Sequence, residues 1–401
     1  MRKGWEIKIL SEACKVFADG DWIESKDQSS EGIRLIQTGN IGFGYYKDKV
    51  DKSRFVSEET FKRLRCTEIK AGDLLVSRLP DPVGKSCIIP ETNTKMITGV
   101  DCTIIRPKDF LLSEFLCYYQ MSDKYLKDVQ IGVSGATRQR ISRKNLGQIK
   151  IPLPPLSEQQ EIISILDDAF ESIELAKLNA EQNLKNAKEL FESCLQNMFK
   201  NKSEGWSEKT LGDICTTTQC VQIEKSEQLS ELLPKYKRYL YISDFKNEKN
   251  IKYVKDIYPK KNVTTDDLIV VNTGNSAGDI FKGIDGILSN NLFKVSYNKN
   301  IINGQFLYYF VTSKMFRNYQ TKIIRGTANP HMGHENFNST PFSFPLIHDQ
   351  EIIVKKLDAL AFETKKLESI YQQKLNDLEE LKKSILQKAF NGELKTSKIS
   401  A

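Results

Sequence analysis

Two similar α+β lobes in tandem, each followed by one long helix, are what the 401-residue sequence predicts. Three observations carry that prediction. Phrases recur in the same order far apart in the chain, short β-type runs punctuated by Gly, Asn, Asp and Pro lie between them, and two long heptad stretches contain neither Gly nor Pro.

The repeat begins with GWEIKILSEAC from Gly4, matched by GWSEKTLGDIC from Gly205 at an offset of 201. Gly72 to Val76 then pairs with Asp266 to Val270 at an offset of 194, and Phe115-Leu116 with Phe306-Leu307 at 191. PLSEQQEII, from Pro155, returns as PLIHDQEII from Pro345, and SCLQNMF, from Ser193, returns as SILQKAF from Ser384. Collinear matches with drifting offsets indicate a duplication with loop insertions, and two copies are too few for a solenoid. The boundaries that follow are a first lobe over 1–154, a helix within 155–203, a second lobe over 204–345, a second helix within 346–394 and a tail over 395–401.

Within the lobes, strands are expected over 73–77, 102–106, 267–271 and 292–296, with helical stretches over 111–125 and 306–319. YKRYLYIS, Tyr236 to Ser243, could stack bases but reads more simply as an aromatic strand. Past each lobe the period changes. Leu166, Phe170, Ile173, Leu184 and Phe191 mark a seam with 4-3 spacing in the first helix, interrupted by Lys177. Leu357, Leu360, Leu367, Leu378, Leu381 and Ile385 mark the second, interrupted by Thr364 and Lys374. The repeated proline phrase is then a helix start, with Ser157 or Asp349 expected as the N-cap.

Charge is unevenly distributed. Residues 1–150 carry +6, 151–200 carry −5, 201–350 carry +4 and 351–401 carry +2. The surplus in the lobes favours a polyanion such as DNA, whereas the first helix has the wrong sign for phosphate. No apolar run is long enough for a membrane span, and the start lacks a signal peptide, so a cytoplasmic protein is expected. Eight cysteines without a CxxC and three histidines at 331, 334 and 348 are poor material for a zinc site and fit reduced, buried thiols.

Catalytic motifs are missing. Asn329-Pro330-His331 lacks the second proline and the aromatic residue of an amino-methyltransferase tetrapeptide. GNIGFG, from Gly39, is not the dinucleotide GxGxxG, and Gly84-Lys85-Ser86 has Leu79 where a phosphate-binding loop needs glycine. A non-catalytic chain is the expectation.

The candidate DNA contacts lie in polar loops that recur in both lobes. SGATRQRIS, Ser134 to Ser142, offers Thr137, Arg138, Gln139 and Arg140, side-chain types that pair with guanine and adenine edges in the major groove. Its counterpart RGTANPHMG, Arg325 to Gly333, offers Thr327, Asn329 and His331. A second pair of loops adds Arg78 and Lys85 in the first lobe and Asn272, Thr273 and Asn275 in the second.

A GW-started lobe, IPLPPLSEQ from Ile151, a long heptad helix, a second GW lobe and LQKAFNGEL from Leu386 together resemble the specificity subunit of type I restriction-modification systems. The resemblance runs from residue 4 to 394, and departs from the family pattern at Ile347-His348-Asp349. It implies that each lobe is a target-recognition domain reading one half of a bipartite site in double-stranded DNA. It also implies that the two helices pack as an antiparallel coiled coil acting as spacer and partner-binding surface. The chain would bind no cofactor itself. It would recruit two methyltransferase subunits using S-adenosylmethionine and two motor-nuclease restriction subunits using ATP and Mg. The competing reading is a coiled-coil scaffold whose lobes bind proteins.

Overall fold

Runs of aliphatic residues with every side chain buried set the strand cores of both lobes. Leu74–Ser77 and Leu268–Val271 are buried at all four positions, as expected for central strands covered on two faces. The computed structural model describes residues 4–202, 204–247, 251–324 and 331–394.

In the first lobe Leu74–Ser77 sits in an antiparallel sheet of order Cys14–Asp19, Cys102–Pro107, Leu74–Ser77, Ser86–Ile88. In the second, Cys215–Gln219, Leu292–Tyr297, Leu268–Val271 and Ile280–Lys282 repeat that order. Each lobe adds a smaller sheet containing one parallel pair, Ile33–Ile36 with Met96–Thr98 and Tyr236–Leu240 with Gly286–Leu288. The aromatic phrase at 236 is thus a strand: Tyr239 is buried, and its hydroxyl donates to the Val221 carbonyl at 2.7 Å.

The GW phrases lead into strands that close each lobe on itself. Gly4 and Gly205 have φ of +95° and +92°, a turn that favours glycine, and the chain continues into Glu6–Ile9 or Ser207–Thr210. These pair antiparallel with Lys150–Leu153 and Pro341–Phe344, the last strands before the long helices.

Where one helix was expected over 111–125 and another over 306–319, the structure has two pairs: Ser113–Gln120 with Asp123–Ile131, and Gly304–Thr312 with Lys314–Ile324. A serine makes each break. Ser122 Oγ accepts from Tyr125 N at 3.3 Å and donates to Tyr119 O at 2.6 Å, and Ser313 does the same with Phe316 and Phe310. A side chain that competes for backbone groups ends one helix and caps the next.

The long helices run over Leu156–Lys200 and Ile347–Asn391, 45 residues each, or about 68 Å at 1.5 Å per residue. Ser157 and Asp349 are not the N-caps. The carbonyls of Pro155 and Leu346 take the first helical bonds, which places both residues inside the first turn.

A glutamine fixes each helix to its lobe. Gln159 is fully buried; its amide donates to the carbonyls of Phe110 and Pro154 and its oxygen accepts from Leu112 N, all at 2.9 Å. Gln350 makes the same three bonds, to Ile301 O, Pro345 O and Asn303 N, each at 2.8 Å. About two turns further on, Tyr118 Oη donates to Asp167 and Tyr309 Oη donates to Asp358.

Packing divides the chain into two compact units that do not follow sequence order: one from the chain up to Ala180 and from Gln373 on, the other Glu181–Gln372. Each unit therefore holds one lobe and half of each long helix. In the first unit Lys177 pairs with Glu379 at 2.7 Å and Glu174 with Lys382 at 3.5 Å, so one helix ascends as the other descends, an antiparallel coiled coil. Phe390, near the end of the second long helix, joins the core of the first lobe, its ring 5.4 Å from Phe115 and 5.2 Å from Tyr119. In the second unit Phe199 takes that place against Phe306 and Phe310, at 5.2 and 5.3 Å, while Leu195, Val354 and Leu357 share its core.

In the first long helix the expected seam is covered: Leu166, Phe170 and Ile173 are buried, and Leu184 and Phe191 are half-buried. In the second long helix Leu357 is buried and Leu360, Leu378 and Ile385 are half-buried, whereas Leu367 and Leu381 are 37% and 47% exposed. Beyond Thr364, Glu368, Leu375 and Lys382 are covered, each one residue later than Leu367, Lys374 and Leu381, while Tyr371, Leu378 and Ile385 keep the expected places. Positions i+3 and i+4 both lie near a helix's facing side, so apolarity alone chose the wrong one. Lys382 serves in the seam by laying its stem along Phe170, with Nζ 4.6 Å from the ring centre.

Seven cysteines are buried and Cys194 is half-buried. Burial pushes the Cys14, Cys87 and Cys215 thiols up to about 12. In the folded chain a thiol reagent at neutral pH is expected to modify Cys194 first, the other seven reacting only on unfolding; rapid loss of two or more thiols would contradict this packing. Among the described residues no helix is long and apolar enough to cross a membrane.

Candidate nucleic-acid interface

The loop singled out in the first lobe is a hairpin whose geometry its glycine sets. Strands Val133–Ser134 and Arg140–Ile141 pair antiparallel, and between them Gly135 has φ of +106°. A Cβ there would lie 2.4 Å from the Arg138 carbonyl, so the turn admits no side chain. Ile141 is fully buried and anchors the hairpin, while Thr137, Arg138, Gln139 and Arg140 all project into solvent.

The second loop of interest, at Arg78, lies directly beneath. Ile141 N donates to Arg78 O at 3.2 Å, and Arg78 N donates to Asp101 O at 2.9 Å. The expectation that Arg78 contacts DNA gives way to a structural role. Only 4% of its side chain is exposed, and its guanidinium is held by Asp19 at 3.4 Å and by the carbonyls of Val100 and Ile141. A guanidinium enclosed and bonded in this way cannot reach a base edge. Lys85 is half-buried, and its ammonium donates to Asp81 O within its own loop at 3.0 Å.

Above Arg78 the Asp101 carboxylate bridges two arginines, Arg138 at 3.1 Å and Arg140 at 3.6 Å. Both border a cleft of about 290 Å³ that is also lined by Trp22, Gln28, Gln37, Thr38 and Arg54. Trp22 is 69% exposed. Arginine, glutamine and threonine donors beside an open indole can address base edges, phosphate oxygens and a base face together.

The second lobe repeats the scaffold with different chemistry. Asn272 stands where Arg78 stood: its N–H donates to Asn291 O at 3.0 Å, and its carbonyl accepts from Met332 N at 2.7 Å. Asn272 is buried, so its backbone does the connecting and its side chain offers no exposed contact. Thr273 bridges to His331, and its hydroxyl lies 3.3 Å from Asn291 Oδ1. His331 and Asn275 are exposed, whereas Thr327 and Asn329 lie outside the described residues. Nearby, His334 Nε2 is 2.7 Å from Gln219 Oε1, and its ring lies over Phe293 at 4.4 Å. Burial, then the neighbouring His331 and Lys261, lower the His334 pKa, which favours the neutral ring.

The structure thus brings together loops some 60 residues apart in each lobe, and adds residues that sequence reasoning missed: Asp101, Trp22, Gln37 and Arg54 in the first lobe, Asn291, Gln219 and His334 in the second. Asp101 and Asn291 had a legible signal, each being the polar residue just before a buried strand in both copies of the repeat.

The chain is similar to the StySPI type I restriction enzyme specificity subunit of Salmonella potsdam, 24% identical over 332 residues that cover 74% of this chain and 68% of that one. In fold it matches the HsdS subunit of Thermoanaerobacter tengcongensis, with a TM-score of 0.68 at 18% identity and 98% of each chain covered. A chain solved in work on assembly and conformational transition of the type I R-M system matches with a TM-score of 0.81 at 17% identity, covering 98% of this chain and 99% of that one. The model of the type I restriction modification DNA specificity domain matches residues 2–186 and 203–380, and with these two copies in tandem the chain belongs to that family.

Proposed function

We propose that this chain is the non-catalytic specificity subunit of a type I restriction-modification complex, each lobe reading one half of a bipartite DNA target. The carrying observation is the repeated loop scaffold: one backbone arrangement presents Arg138 and Arg140 in one lobe and Thr273 and His331 in the other. Matching backbone links that carry different polar side chains suit two different half-sites. In this reading Thr137, Gln139 and Asn275 are further contacts, and Thr327 and Asn329 belong to the second lobe's loop. Methyltransferase and restriction subunits would be its partners, two of each. S-adenosylmethionine, ATP and Mg would act on those subunits, this chain binding none of them. Its setting would then be the cytoplasm, where the DNA is.

Replacing Arg138 or Arg140 by alanine is expected to weaken discrimination at one half-site by about 1–3 kcal/mol per base pair read, and to leave the other half-site unchanged. Methylome sequencing of cells carrying each variant, with binding assays on duplexes mutated in either half, reads this out. A loss shared equally by all sequences would argue against base reading, and absence of any duplex preference would favour a protein-binding scaffold.

A further inference from the structure

We propose that Asp101 is an internal counter-ion for the first lobe's reading loop, holding Arg138 and Arg140 together so that phosphate charge alone does not recruit them. The inference rests on the DNA-reading function proposed above and specifies how that lobe separates sequence from charge.

The position of Asp101 is fixed by the fold. Its carbonyl accepts from Arg78 N at 2.9 Å, and Cys102, which follows it, is buried at the start of a central strand. Its carboxylate is directed outward, with one oxygen toward each arginine. Among the described residues that carboxylate hydrogen-bonds to the loop and not to the core. Asp19 differs, engaging Arg78 and Thr103, and so does Asp73, which accepts from Lys70 N and pairs with Arg106.

The pair is built to open. The carboxylate side chain is 26% exposed, and the arginines are 67% and 44% exposed, so each contact is partly screened and individually weak. A stray phosphate that takes one arginine leaves the other still paired and Asp101 facing the duplex backbone with like charge. A site offering acceptors to both arginines replaces the whole arrangement. Among the described residues of the second lobe no such device is found: Asn291 holds the same backbone position, and its uncharged side chain meets Thr273.

The test uses the full chain assembled with its methyltransferase subunit, binding a target duplex and a scrambled duplex of equal length over a range of salt. Asp101→Asn is expected to tighten scrambled-duplex binding on the order of tenfold, to change target binding less, and to steepen the salt dependence by one to two phosphate contacts, roughly 0.9 in slope for each. Asp101→Glu is expected to behave as the native chain. In an Arg138→Ala, Arg140→Ala background, Asp101→Asn is expected to give only the small gain of removing one like charge, well short of tenfold. Unchanged affinity and slope in a variant with native melting, or the same gain without the arginines, overturns the proposal. If the unaltered assembly binds no duplex, the DNA-reading function itself fails and the counter-ion role falls with it.

Discussion

Alanine at position 390 is expected to loosen the first unit by about 3–5 kcal/mol, the range for removing a large aromatic side chain from a core. Phe390 lies 275 and 271 positions downstream of Phe115 and Tyr119, yet it is 5% exposed and set edge-on against both. Its loss leaves a cavity beside Phe115 and Tyr119 that a close-packed core only partly closes. Hydrogen exchange should quicken at amides of Ser113–Gln120 and Asp123–Ile131, while Gly304–Thr312 keeps its protection. Phe199→Ala should give the converse, because Phe199 fills the matching site against Phe306 and Phe310. If Phe390→Ala instead exposes both sets of amides equally, the units unfold as one and the division of the core described above is wrong.

Gln159→Leu should be nearly as severe, although it exchanges side chains of similar size and makes the core more apolar. The change strands the Leu112 N–H and removes a donor from the carbonyls of Phe110 and Pro154, at a joint centred on a fully buried side chain. At about 1–3 kcal/mol for each group left without a partner, a loss of roughly 3 kcal/mol in unfolding free energy is expected by urea titration. Gln159→Glu separates hydrogen bonding from packing. Its carboxylate would face two carbonyl oxygens, which raises its folded-state pKa above the unfolded value of about 4.3. The variant's deficit should therefore be smallest below that unfolded value and grow as pH rises toward the folded one. A pH-independent deficit, or a stable Gln159→Leu variant, would mean that Gln159 only fills space.

Much of this molecule is legible in one sequence because it says most things twice. Cys102 to Arg106 and Leu292 to Ser296 read as strands from alternation and flanking turns, and the heptads of two 45-residue helices outweigh any local ambiguity. The candidate loops were legible as polar insertions at matching places. What each polar side chain does was not. Arg78 and Arg138 look equally available in sequence, yet one is enclosed beneath a hairpin and the other lies open beside a cleft. Leu367 and Leu381 fit a seam by composition and still face solvent, because a helix fixes its facing stripe through its partner.

By itself the sequence determined the duplication, the order of strands and helices, the long helices and the family resemblance. All of these depend on local periodicity and on repeated words. Only the tertiary structure decided that PLSEQQEII works through Gln159 and not Ser157, that each lobe's core is finished by a phenylalanine at a long helix's far end, and that Asp101 stands between two arginines. Those are contacts between residues far apart in the chain, formed where backbone groups and cavities meet, and no local pattern records which distant side chain will satisfy them.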